Sequence, residues 1–131
     1  MNDELKSAFG RNLSRVRIPA DQADLEVRLR DGRYVINYDI YPKGMAADSY
    51  VWMEYNPDDR SVGIKMIQVD DYHQGKGYGK QLVKAVETAA KEIGAESVFA
   101  LNSSNDSFWL HMGYSPVKIP SKETSNLRKA L

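Results

Sequence analysis

Apolar residues recur along the chain with two periods, and the change between them marks the elements. In residues 2–15, Leu5, Ala8, Phe9 and Leu13 fall at helical spacing, and Pro19 closes that segment. Strict alternation follows. Leu25, Val27 and Leu29 alternate with charged residues, and Tyr34, Ile36, Tyr38 and Ile40 alternate beyond Asp31-Gly32. An Asp-Gly pair between two alternating runs predicts a hairpin, because both residues tolerate positive φ. A loop with Pro42 and Gly44 comes next. Residues 49–55 and 61–69 then read as two more strands around the turn Asn56-Pro57-Asp58-Asp59-Arg60. From there the period returns to helical. Leu82, Val83, Val86, Ala89, Ala90 and Ile93 form one apolar face, and Gly94 is placed to end it. Residues 97–101 are a short buried-strand run. Residues 102–113 offer N-cap candidates, a two-turn helix and a closing Gly113. The tail, 114–131, scores as helix by propensity and is also compatible with a final strand.

Helix, four strands, helix, strand, helix and tail make an α/β (α+β) order. It predicts a mixed, mostly antiparallel sheet with one parallel βαβ step and helices on both faces. The length of 131 residues suits a single domain spanning 1–131. Lys plus Arg and Asp plus Glu are both 18, so the net charge is zero and no overall field draws in nucleic acid. With no cysteine, thiolate zinc sites and cysteine nucleophiles are excluded, and His73 and His111 alone do not make a metal site. The amino terminus has no signal-peptide pattern and no apolar run approaches membrane-spanning length, so a cytoplasmic protein with no membrane partner is expected.

One stretch carries candidate chemistry. Gly75, Gly77 and Gly79 lie between a strand and a long helix, interleaved with Lys76 and Lys80. Glycine lets a ligand approach main-chain N–H groups, and a helix N-terminus adds unpaired donors and partial positive charge. Together they suit an anion, commonly phosphate. The mononucleotide P-loop and dinucleotide patterns both fail, since Lys80 stands where each needs glycine. The spacing Q-x-x-G-x-G does fit, at Gln74, Gly77 and Gly79. It resembles the acyl-CoA pyrophosphate loop of the GNAT superfamily, the general N-acetyltransferases. A second match lies in Asn102, Asn105, Phe108, Trp109, Gly113 and Tyr114, which follow the spacing found after that family's next strand. The resemblance also favours a strand at the chain's end, and it leaves the first twenty residues shorter than the family's usual strand and two helices.

The resemblance implies a site. Acetyl-CoA would be the co-substrate, with no metal. Its pantetheine arm would pair like a strand with Ile67, Gln68 and Val69, and the Val69 N–H would polarise the thioester oxygen. Main-chain groups of Gln74, Gly75, Lys76, Gly77, Tyr78, Gly79 and Lys80 would hold the pyrophosphate. Asn102 and Asn105 would meet the ligand from the other side, or serve as helix caps. The reaction would be direct attack of a primary amine on the acetyl carbonyl. Trp109 replaces the tyrosine that family members often use as general acid, and an indole N–H cannot do that work; core packing is its expected role. Glu54 is the candidate base, because residues 61–69 contain no carboxylate. The acceptor is expected to be a small molecule or a protein or peptide amine, at a site open enough to be completed in a homodimer. The alternative is a catalytically weak CoA-binding regulatory module of the same fold.

Overall fold

The computed structural model describes residues 1–41, 48–117 and 125–131. The expected loop with Pro42 and Gly44 lies outside them. The chain runs α1 (Asn2–Leu13), β1 (Gln22–Arg30), β2 (Arg33–Tyr41), β3 (Ser49–Asn56), β4 (Ser61–Gln68), α2 (Tyr78–Glu92), β5 (Ser97–Ser103), α3 (Asp106–His111), β6 (Ser115–Val117) and β7 (Ser125–Ala130). The seven strands form one sheet in the order β1-β2-β3-β4-β5-β7-β6. All neighbours are antiparallel except β4 and β5, which are parallel and joined by the crossover helix α2.

The local signals explain most boundaries. Asp31 and Gly32 take φ of 51° and 77°, a turn of the primed type that matches strand twist, and Arg30 pairs with Arg33 across it. Gly94, at φ 85°, ends α2: its N–H and that of Ala95 donate to the carbonyls of Lys91 and Ala90. The tail follows tertiary demand rather than propensity. Leu127 is fully buried opposite Ala100, and burial in a sheet outweighs the modest helix preference of its neighbours.

Alternation sorts the sheet into two faces. One face presents Ile36, Val51, Met53, Val62, Ile64, Val98, Ala100 and Leu127, all buried against Leu5, Phe9 and Leu13 of α1 and Leu82, Val83, Val86, Ala89 and Ala90 of α2. Helix α3 shares this face. Lys129, beside Val98, reaches up to the Met112 carbonyl at 3.0 Å and to Glu87 of α2 at 3.2 Å. The mixed sheet and its single parallel step are as the pattern predicts. The helices differ from expectation: among the described residues all three gather on one face. The other face carries Asp39, Tyr50, Trp52, Glu54, Met66, Phe99 and Arg128, each partly or largely exposed.

Candidate active site

The site begins where the parallel pairing stops. Strands β4 and β5 pair only from Ser61 with Ser97 to Ile64 with Ala100. At the next residue β4 bulges: Met53 faces Ile64 while its neighbour Trp52 faces Met66, which leaves Lys65 as the extra residue. A bulge bends its strand and ends the ladder on one side. Residues 66–68 stay paired with β3 through Trp52, Val51 and Tyr50. Their opposite edge turns to a cleft of about 690 Å³ between the two strands. Ile67, Gln68 and Val69 form one wall of it, with main-chain polar groups available to an extended ligand.

The cleft runs onto the N-terminus of α2. Gly77 is the N-cap residue with φ 83°, and Gly75 has φ 76°. A Cβ at either would meet nothing within 4 Å, so these glycines are required by backbone conformation rather than by packing. The first-turn N–H groups of α2 have no intrahelical partner, no acid lies in that turn, and Lys80 lines the same space. This combination suits a polyanion. Gly79 differs from the other two: its φ is not positive, and an added Cβ would touch the Phe108 ring at 3.7 Å, an ordinary contact.

A buried polar network holds this loop to the sheet. The Ser49 hydroxyl donates to Asp70 Oδ1 at 2.6 Å, and the Asp70 N–H donates back to Ser49 Oγ at 2.9 Å. His73 Nδ1 lies 2.7 Å from Asp70 Oδ2. Burial alone would raise the Asp70 carboxyl, but the hydrogen bonds from Ser49 and His73 outweigh it and hold it below the usual range. Gln74 Nε2 donates to the Val69 carbonyl at 2.8 Å, which ties the loop to the end of β4. His73 also lines the cleft. Sequence spacing marked it as a neighbour of the loop but gave no sign that it is buried and paired with Asp70.

The opposite wall contains Leu101, Asn102, Ser103, Asn105, Phe108 and Trp109. Asn102 takes φ 53°, and its N–H donates to Asn126 Oδ1 at 2.9 Å. Asn105 Oδ1 accepts from the Phe108 N–H at 3.3 Å, so its side chain caps α3 while the residue still lines the cleft. Trp109 is 5% exposed and packs edge-on against Phe108 and Tyr114, with centroids 5.1 and 4.9 Å away. Tyr114 offers no replacement acid. Burial, then the nearby Glu87 charge, push its phenol far above the ordinary range, and its hydroxyl donates to Glu87 at 2.8 Å.

Of the residues expected to bind the ligand or take the proton, two fall outside the cleft lining. Lys76 extends over the Tyr72 ring, 5.6 Å from its centroid. Glu54 sits on the face away from the helices, as alternation allows, but its carboxylate is held by Lys65 at 2.8 Å and Arg33 at 3.6 Å. The hydrogen bond from Lys65, opposed by partial burial and aided by both cations, keeps it below the usual carboxylate range. A carboxylate so held is a poor proton acceptor. Lys65, brought into the lining by the bulge, was not anticipated.

A sheet splayed beside a glycine-marked helix N-terminus defines the acyl-CoA N-acyltransferase fold. The family model described as an acetyltransferase (GNAT) domain matches residues 31–116, and the chain belongs to that family. Similar solved structures agree. A Bacillus subtilis acetyltransferase in complex with CoA is 18% identical with TM-score 0.56, over 84% of this chain and 98% of that one. An Escherichia coli GNAT family N-acetyltransferase in complex with CoA is 16% identical with TM-score 0.59, over 87% of this chain and 84% of that one. N-acetylglutamate synthase from Neisseria gonorrhoeae, complexed with coenzyme A and N-acetyl-glutamate, is 11% identical with TM-score 0.57, over 98% of this chain and 32% of that one. At these identities the likeness is one of fold. No curated protein matches the sequence. Among the described residues no helix is long and apolar enough to cross a membrane.

Proposed function

We propose that the protein transfers an acetyl group from acetyl-CoA to a primary amine. The observation that carries this reading is the continuity of the cleft, from the unpaired edge of β4 to the free N–H groups of α2. In this reading the pyrophosphate lies over residues 74–80, with Lys80 adding formal charge. The pantetheine arm runs along Ile67, Gln68 and Val69, and the Val69 N–H donates to the thioester oxygen, where negative charge develops. The amine nitrogen attacks the acetyl carbon, the carbon–sulfur bond breaks, and the thiolate departs and takes up a proton. Glu54 serves by fixing Lys65 at the cleft edge. The ammonium proton of the acceptor leaves to water, so positioning supplies much of the rate. Isothermal titration with acetyl-CoA, followed by thiol release with a panel of small and peptide amines, tests the reading. Saturable binding and amine-dependent release are expected; no binding would overturn it.

A second reading has one observation in its favour. The tyrosine nearest the buried Trp109, Tyr114, donates its hydroxyl to Glu87, and the resemblance sets Trp109 itself at the position of the family's phenol. The protein would then bind acetyl-CoA as a sensor without turnover. Tight binding with no thiol release across the panel would select it. If the protein is an enzyme, Trp109→Phe retains most turnover provided packing survives, because the indole takes no part in proton transfer.

A further inference from the structure

We propose that the protein forms a two-fold dimer in which β1 pairs antiparallel with β1 of a second copy, centred on Val27. The two edges of the sheet are unlike. Edge strand β6 has three residues and carries Pro116 in its middle, both devices that blunt an edge. Edge strand β1 has nine residues, Gln22–Arg30, in unbroken register with β2, with no bulge and no proline. The two-residue turn Asp31-Gly32 makes Arg30 and Arg33 a hydrogen-bonded pair. Bonded and non-bonded pairs alternate in an antiparallel ladder. Arg28, Glu26 and Asp24 therefore also bond to β2, while Leu29, Val27, Leu25 and Ala23 turn their N–H and C=O groups outward. None of these outward groups bonds to another main-chain segment among the described residues.

The side chains select a single partner register. Asp24, Glu26, Arg28 and Arg30 project from one face, acids in the first half of the strand and bases in the second. With the two-fold axis at Val27, Asp24 faces Arg30 of the second copy and Glu26 faces its Arg28, and the same pairs recur across the axis. These are non-hydrogen-bonded positions between the two β1 strands, where Cα atoms approach to about 4.5 Å and side chains meet most closely. The outward groups of Val27 meet their own symmetry mates, and those of Leu25 meet those of Leu29, so each facing pair exchanges two main-chain bonds. Leu29, 60% exposed in the single chain, comes to lie beside Leu25 of the second copy. Moving the axis by one residue puts Glu26 on Glu26 or Arg28 on Arg28; moving it by two sets Asp24 against Glu26 or Arg28 against Arg30. Only the Val27 register pairs all four charges with opposites, so the surface is complementary to itself. The joined sheet places the two acetyl-CoA clefts far from the axis, since β2 and β3 lie between β1 and β4.

Sedimentation velocity over a micromolar concentration series tests this with the full chain. The parent is expected to show a reversible monomer–dimer equilibrium that weakens with added salt. Glu26→Arg and Arg28→Glu, at exposed positions, are each expected to weaken dimerisation by about tenfold or more. An equimolar mixture of the two variants is expected to restore it, because each then faces opposite charge. Thermal melts check that each variant folds, and either variant alone suffices should the other fail. Acetyl-CoA affinity is expected to stay at the parent value in both. A parent that remains monomeric, a dimer indifferent to either substitution, or a mixture that fails to pair would overturn the proposal.

Discussion

The two halves of strand β4 have opposite surroundings. Ser61, Val62, Gly63 and Ile64 are buried and paired on both sides, with β3 and with β5. Lys65, Met66, Ile67 and Gln68 are mostly exposed; Lys65 is the bulged residue, and the other three keep only the β3 partner. Each half has two large apolar residues, Val62 and Ile64 in the first and Met66 and Ile67 in the second, so hydrophobicity alone does not set the boundary. The bulge at Lys65 does, by bending the strand out of the parallel ladder. The first half is scaffold, whose removal costs stability. The second half is a surface whose spare hydrogen-bonding edge is available to a ligand, and its loss is expected to cost binding instead.

The most severe test lies beyond the open half, where the cleft reaches the N-terminus of α2. Gly77→Val forces a β-branched residue into φ 83° and fills the approach to the helix N-terminus. Acetyl-CoA binding is expected to vanish in titration calorimetry, while circular dichroism shows the sheet still folded. A folded variant that binds like the parent would remove the anion site from this loop.

On the scaffold side, Ile64→Ala truncates a side chain 2% exposed. Such cavities cost about 2–5 kcal/mol, so urea denaturation should show a loss in that range. A loss below about 1 kcal/mol would mean that the buried half is no better packed than the open half.

Glu54→Gln probes the boundary from the neighbouring strand. Its carboxyl sits below the usual range in the folded state, so ionised Glu54 contributes stability above its unfolded pKa, and that contribution is lost as pH falls through the folded value. The glutamine variant is expected to be less stable than the parent near neutrality and to converge with it in acid. The pH profile of any turnover should keep its basic-side rise. Loss of that rise would restore Glu54 as the proton acceptor and extend the functional half across to β3.

The smallest effect is expected at Met66→Ala. Met66 is 48% exposed on the open half, and stability should change by no more than about 0.5 kcal/mol in the same denaturation assay. A larger loss would show the open half to be part of the core.

Local chemistry determined much of this protein. The alternation around Asp31-Gly32, the 3.6-residue period of α2 and the glycine at its end specify their elements without distant contacts, because steric limits on φ and side-chain direction act within a few residues. The spacing of Gln74, Gly77 and Gly79 marked the loop for the same reason: positive φ at Gly77 is a local requirement. Other features were decided between segments. The final strand, a helix by propensity, forms because Leu127 is buried against β5. The cleft exists because a bulge separates β4 from β5, and a bulge depends on the register of a partner strand. Pairing of Glu54 with Lys65 and Arg33, and of Asp70 with Ser49, joins residues whose separation in sequence says nothing of their distance. Backbone conformation is written locally, whereas the charge state and reach of a side chain depend on which neighbours the folded sheet brings to it.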